Sequence, residues 1–307
     1  MTTAAPPAVA KKPRSRTNKR DDQTRLAAAF LLPASIGFFF FYLMPALRGL
    51  YYSFTDYSVL TPPEWTGVDN YVRLVQDPLF WNALGVTLYY VLLNIGFQTI
   101  IAVGLAVLMQ RLTNSTFLRG VALLPYFVAN VVVALVWYFM MDYQVGIVNV
   151  FFEAIGIDKI AFFGESAWAI PTVAFINVWR HMGYTALLVF AGLQTINASV
   201  YEAADIDGAG EGRKFFNITL PLLRPVLAMV LVVTVTGSFQ IFDTISVTTQ
   251  GGPINATRVM NYYIWDLAFG QLDFGYASAL AVVLFLILLG VSLIQLRLTR
   301  ADESDEL

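Results

Sequence analysis

Glu202-Ala203-Ala204-Asp205-Ile206-Asp207-Gly208, followed nine residues later by Ile218-Thr219-Leu220-Pro221, is a polar stretch between two long apolar runs, 168–193 and 222–245. Its setting decides the fold. Spanning roughly 30 Å of hydrocarbon takes about 20 residues at 1.5 Å each, and every backbone polar group there must be paired internally, so long apolar runs are helices. The polar connector 199–223 then has to lie outside the membrane. Four more runs, 27–50, 84–109, 119–141 and 275–296, bring the prediction to six transmembrane helices in an all-α, polytopic membrane protein.

Composition agrees with that reading. Apolar residues make up 57% of the 307 and charged residues 13%, with a mean hydropathy of +0.63; a soluble domain carries about 25% charged residues. The absence of cysteine removes disulfides, thiolate nucleophiles and thiolate metal sites. A net charge of -2 predicts no nucleic-acid partner. Positive charge is unevenly placed. Lys11, Lys12, Arg14, Arg16, Lys19, Arg20 and Arg25 precede the first run, Arg111 and Arg119 flank the second inner connector, Arg213, Lys214 and Arg224 the third, and Arg297 and Arg300 follow the last run. Only Arg48, Arg73, Lys159 and Arg258 fall on the other side, so the positive-inside rule puts both termini in the cytoplasm. The expected organisation is a disordered basic tail over 1–25, a six-helix domain over 26–298 and a short cytoplasmic tail over 299–307. The outer segments 52–83 and 142–167 mix aromatics with acids; Trp65, Trp81 and Trp168 suit the headgroup level or contact with an external protein.

The connector has its own physical logic. Val200 to Ile206 is helix-compatible, Gly208, Gly210 and Gly212 let the chain turn back, and Pro221 fits the first turn of the fifth span. A short helix and a glycine turn joined stiffly to two membrane helices can pass a rigid-body push to them. Ala203 and Ala204 are small enough for close docking against another protein.

Polar groups at membrane depth mark substrate paths. Arg180 and His181 lie about twelve residues into the fourth run, roughly 18 Å at helical rise, and the fifth carries Thr234, Thr236, Ser238, Gln240 and Asp243. Trp179 and Tyr184 beside Arg180, with Phe239 and Phe242 beside Gln240, would give aromatic faces and hydrogen-bonding groups together, a pairing that suits sugars. Each residue has a plainer alternative. Arg180 could pair with Asp243 or a carbonyl, His181 could make an interhelical hydrogen bond, Asp243 could sit at the interface, and Asn94, Gln98 and Asn130 could join helices. An ion-driven secondary transporter would call for inverted repeats and midplane carboxylates; no repeat is apparent, and Asp243 is the one plausible acid within the spans. A membrane enzyme lacks a nucleophile-base pair or metal-ligand cluster, with one His and no Cys.

The Glu-Ala-Ala, three residues, Gly, nine residues, Ile-x-Leu-Pro pattern resembles the cytoplasmic signature of permease subunits of binding-protein-dependent ABC importers. Leu124-Pro125-Tyr126, Trp179, Gly183-Tyr184, Gly251-Gly252-Pro253 and Asn255-Ala256-Thr257 are similar to sugar permeases related to the maltose and glycerol-phosphate importers. The resemblance covers roughly residues 25–298 and implies a type I importer permease fold in a prokaryotic cytoplasmic membrane. It also implies a second permease, two ATP-binding subunits that use ATP and Mg, and an extracytoplasmic solute-binding protein. No cofactor would be bound by this chain: Gly208-Ala-Gly-Glu-Gly212-Arg213-Lys214 looks like a phosphate cradle but lacks the Gly-Lys-Ser/Thr of a nucleotide loop. By position, Glu202 would contact a basic residue of the ATPase, Ala203 and Ala204 would form the docking face with Asp205 beside them, Gly208 would make the turn, and Ile218, Leu220 and Pro221 would complete the signature. The resemblance places the sugar path near Trp179, Met182, Gly183, Thr234, Ser238 and Ile241, where the identities depart from the maltose pattern; Arg180, Tyr184, Gln240 and Asp243 join it on chemistry. A glycerol-phosphate or polyol-phosphate cargo would want more positive charge than Arg180 and His181 provide.

Overall fold

The structure is a computed structural model that describes residues 16–112 and 115–304. The expected tail therefore lies outside the described residues up to residue 15, as do the last three residues of the C-terminal tail. The chain divides into an N-terminal unit ending at Tyr51 and a larger unit from Tyr52 onward.

The N-terminal unit is one helical run. Helix α1 (Arg16–Phe38) passes through a π turn (Phe39–Leu43) into α2 (Met44–Tyr52). The helix thus begins well before residue 26, which corrects the tail boundary; Lys, Arg and Gln lose little freedom on entering a helix. The π turn has a cause. Pro45 cannot donate to the Phe41 carbonyl and crowds it, and the wider turn, closed by Met44 N–H to the Phe39 carbonyl, relieves the clash.

The larger unit opens with a hairpin that an all-α reading does not include. Strands β1 (Thr55–Ser58) and β2 (Thr61–Trp65) pair antiparallel, Thr55 opposite Trp65. Outside the hydrocarbon an open sheet edge can bond water, so a two-stranded ribbon is tolerated there. Helix α3 (Asp69–Gln76) follows, then the long α4 (Pro78–Leu112). The third run is not one continuous helix. It is α5 (Thr116–Phe127) and α6 (Asn130–Met140), bent by 91° across Val128 and Ala129, which are extended. Next come α7 (Ile147–Ala154), the 28-residue α8 (Ser166–Leu193), α9 (Ala198–Ile206) and α10 (Glu211–Lys214). A second π turn (Phe215–Thr219) precedes α11 (Leu220–Leu222), and α12 (Arg224–Phe239) starts with Pro225, so Pro221 sits one turn before the fifth span rather than in its first turn. The chain closes with α13 (Asp243–Val247), α14 (Met260–Trp265), a third π turn (Asp266–Gly270) and α15 (Phe274–Ser304).

Among the described residues four segments are long and apolar enough to cross a membrane, Ala29–Tyr52, Pro78–Arg111, Arg224–Val247 and Phe274–Arg297, and the bent pair would make a fifth. Helix α8 is long enough, about 42 Å at helical rise, but Asn177, Arg180 and His181 make it too polar to read as lipid-facing. It is the centre of the bundle instead. Packed along α4, α5 and α12, it buries fifteen residues, from Ala169 to Leu193. The core has two parts. One cluster gathers Tyr90, Ile170, Val173, Phe239, Ile245, Met260 and Tyr276, and the other gathers Ala102, Ala106, Ala186, Val189, Leu193, Leu223 and Val230.

The segment before α4 is tied to α14 and α15 chiefly through Asp77. Asp77 accepts hydrogen bonds from the Tyr263 hydroxyl at 2.5 Å, the Tyr276 hydroxyl at 2.7 Å and the Leu79 amide at 2.8 Å. Arg73 lies 3.9 Å over the Tyr276 ring and pairs with Asp273 at 2.7 Å. Burial alone would raise the Asp77 pKa, but the tyrosine and backbone donors outweigh it and hold the carboxyl below its usual range. A depressed carboxyl contributes stability that is fully present above its unfolded value, about 3.9, and lost as pH falls through the lower folded value. Asp77→Ala should therefore lower thermal stability in detergent by about 1–2 kcal/mol. The wild-type advantage over this variant should stay constant between pH 7 and 5 and shrink below pH 4.

Candidate functional site

At the bend in the third run, the carbonyls of Tyr126 and Val128 lose their helical partners. Arg180 of α8 supplies new ones. Its NH2 nitrogen donates to the Tyr126 carbonyl at 3.1 Å and its Nε to the Val128 carbonyl at 3.0 Å. Its NH1 nitrogen lies 2.9 Å from His181 Nε2. A guanidinium only donates, so Nε2 accepts, Nδ1 carries the proton, and Nδ1–H donates to the Asn177 carbonyl at 2.9 Å. The His181 bonds stay within its own helix, unlike the interhelical bond expected.

The bend leaves a polar cavity of about 300 Å³ enclosed by α4, α5, α6, α8, α12 and α13. Tyr126 stacks on Tyr184 with centroids 4.5 Å apart, giving an aromatic face. In the same lining Asn94 Nδ2 donates to Ser238 Oγ at 2.8 Å, Gln98 Nε2 to Thr185 Oγ1 at 2.8 Å, and Asn177 Nδ2 to the Tyr90 hydroxyl at 2.5 Å. These amides join α4 to α12 and α8, as expected of Asn94 and Gln98. Asn130, the first residue of α6, donates to Asp243 Oδ2 at 3.2 Å, the first residue of α13. The fifth run is broken there too, between Phe239 and Asp243.

Of the path residues expected from sequence, Tyr184, Thr234, Ser238, Gln240, Ile241 and Asp243 line this cavity. Trp179, Arg180, Met182 and Gly183 do not. Trp179 packs edge-to-face on Trp137 at 5.5 Å, Met182 is half-buried, and Arg180 is occupied with carbonyls rather than with Asp243. Gly183 marks a backbone crossing: a Cβ there would come within 1.8 Å of the Ala122 carbonyl. Tyr90, Asn177 and Thr185 line the cavity without having been singled out. Their signal is a polar residue at helical spacing on a face that also carries Asn94 or His181.

The connector forms the second site. Asn197 caps α9 by accepting the Ser199 amide at 3.1 Å, and Gly208 ends it at φ +70°, a conformation side chains disfavour. Glu202 and Ala203 are exposed, but Ala204 is buried, so it is not part of the outward face as expected. Ile206, 88% exposed, takes that place. Asp205 is engaged by Lys214. Ile218, Leu220 and Pro221 are half-buried where the second π turn leads to α12.

Residues 29–301 match the family described as binding-protein-dependent transport system inner membrane component. The chain is 34% identical over 281 residues to the sulfoquinovosyl glycerol transport system permease protein of Agrobacterium fabrum, covering 91% of each. It is 35% identical over 263 residues to the sn-glycerol-3-phosphate transport system permease protein of Yersinia pestis, covering 84% of this chain and 88% of that one. A solved bacterial alginate ABC transporter, in complex with an alginate pentasaccharide-bound periplasmic protein, contains a chain that superposes with a TM-score of 0.81 at 25% identity, covering 94% of this chain and 98% of that one.

The crossing at Gly183 is testable. Gly183→Ala should force α5 from α8 and lower the thermal midpoint of the purified protein, a cost of about 2–3 kcal/mol. Gly104→Ala, with open space around its Cβ, should leave it unchanged or slightly raised.

Proposed function

The chain belongs to the family of binding-protein-dependent transport system inner membrane components, and from that premise we propose that it is the permease subunit of an ATP-driven importer for a di- or oligosaccharide. The observation that carries this reading is the connector: a capped, glycine-ended helix α9 presenting Glu202, Ala203 and Ile206 between two bundle helices. It is a rigid handle for another protein. In this reading the outward face of α9 docks on an ATP-binding subunit, and the pore is completed by a second permease that is a different homologue of the same family. 

Six spans follow if α8 is counted with the four apolar segments and the bent pair, since its polar side chains lie inside the bundle rather than against lipid. The charge distribution puts both termini in the cytoplasm, with residues 26–298 as the permease domain and 199–223 as its coupling loop. The assembly would comprise this chain, a second permease subunit, two ATP-binding subunits and an extracytoplasmic solute-binding protein. The periplasmic protein bound to the related alginate transporter supports the last of these.

The cavity favours a neutral sugar over a polyol phosphate. The stacked Tyr126 and Tyr184 offer a face to sugar C–H groups, and Gln240, Thr234 and Ser238 offer polar edges. No lysine or arginine lines it among the described residues. Sulfoquinovosyl glycerol and glycerol phosphate, the cargoes named for the two relatives, are anionic, so this chain would differ from them at the cavity rather than at the loop.

The test is ATP hydrolysis by the purified complex with its binding protein, across neutral oligosaccharides and glycerol phosphates. Stimulation by a neutral oligosaccharide is expected. Glu202→Lys should keep the protein inserted and paired with the second permease while cutting stimulated hydrolysis at least tenfold. Unchanged stimulation in that variant, or uptake that follows an ion gradient without ATP, overturns the reading.

A further inference from the structure

The glycine-rich, basic segment from Gly208 to Lys214 binds no nucleotide by its pattern, yet it carries a lysine in an unusual place. The Lys214 side chain is only 9% exposed, and lysine is almost never that buried unless paired. Its Nζ donates to Asp205 of α9 and, at 2.9 Å, to Glu211 Oε1. Glu211 in turn pairs with Arg111, in the last turn of α4, at 2.5 Å. One chain of charges runs from the coupling helix to the cytoplasmic end of a membrane helix.

We propose that Lys214 is a positioning residue that locks α9 to α4, so that a displacement of the coupling helix reaches the cavity wall formed by Asn94 and Gln98. The proposal rests on the importer reading above. Helices α9 and α10 have nine and four residues, too few to be stable alone, and the intervening segment contains Gly208 and Gly210. Untied, that segment would bend and absorb a push. With Lys214 in place, α9 and α10 move together, and Glu211 hands the motion to Arg111. From Arg111 to Asn94, α4 is continuous helix, about 25 Å at helical rise. The Tyr201 hydroxyl, 3.0 Å from Thr219 Oγ1, adds a second tie from α9 to the π turn before α12.

The electrostatics favour permanence. Hydrogen bonds from Asp205 and Glu211 raise the Lys214 pKa, and the Lys214 hydrogen bond followed by the charge of Arg111 lowers that of Glu211. The lysine contribution is present below its unfolded value, about 10.4, and the glutamate contribution above its own, about 4.3. The strut is therefore complete throughout the range between them.

The experiment uses the whole importer in proteoliposomes and measures sugar transported per ATP hydrolysed, the sugar being the neutral oligosaccharide that stimulates the wild type. Lys214→Met should retain its ATP-binding subunits and basal hydrolysis while transport per ATP falls at least fivefold, and Lys214→Arg should restore most of it. A wild-type ratio in Lys214→Met overturns the proposal, as does equal loss in Lys214→Arg. If Lys214→Met fails to assemble, Arg111→Gln, which removes a half-exposed partner, decides: a lowered ratio with normal assembly supports the strut, and an unchanged ratio overturns it. Failure of the importer reading is distinguishable, because the wild type itself would then show no ATP-driven uptake.

Discussion

Two carbonyls freed at the bend between α5 and α6 set the terms for the rest of the bundle. An unpaired backbone group at membrane depth costs several kcal/mol, so a span can break there only if something donates to it. Arg180 donates twice, from a neighbouring helix, and turns its remaining reach to His181. The cost of holding a guanidinium inside the bundle is offset by the carbonyl dipoles it satisfies, which also point the negative end of α5 at a positive charge. The bend then opens the space that the stacked tyrosines and the α4 amides surround.

This arrangement explains which parts of the molecule can be read from sequence. Long apolar runs are legible because the hydrocarbon imposes them residue by residue. The connector is legible too, since Gly208 takes a positive φ and Asn197 caps a helix, both local choices. The bend is not. Pro125 sits near it, but prolines at 33 and 171 lie within helices that continue, and what fixes the break is Arg180, more than fifty residues away. The same holds for Asp77, whose tyrosine donors come from nearly two hundred residues further along. Ala204 is a finer case: its identity fits a docking face, while the rotation of α9 that buries it depends on how the segment from Ala209 to Thr219 folds back.

Six of the ten expected path residues line the cavity, and the division has a physical pattern. Those on α12 and α13 face it because that run is broken where Gln240 and Ile241 turn inward. Those on α8 split by helical rotation: Tyr184 faces the cavity, while Gly183 lies against Ala122 and Trp179 against Trp137. A 3.6-residue period cannot put four neighbours on one face, so sequence proximity to Arg180 overstates the lining.

Helix α4 links these features into one mechanical element. It meets the 199–223 connector at Arg111, the cavity at Gln98, Asn94 and Tyr90, and the Asp77 hub at its first turn. Towards Arg111, its packing with α8 includes the fully buried Ala102, Ala106 and Ala186 among larger residues such as Val189 and Leu193. The small residues let the two backbones approach closely. The hydrogen bonds from Gln98 to Thr185 of α8 and from Asn94 to Ser238 of α12 tie α4 to both helices, and they lie at the cavity itself. A shift of α4 past either helix would therefore have to exchange those bonds for others inside the cavity, since a buried amide left without a partner costs more than the bond it gives up.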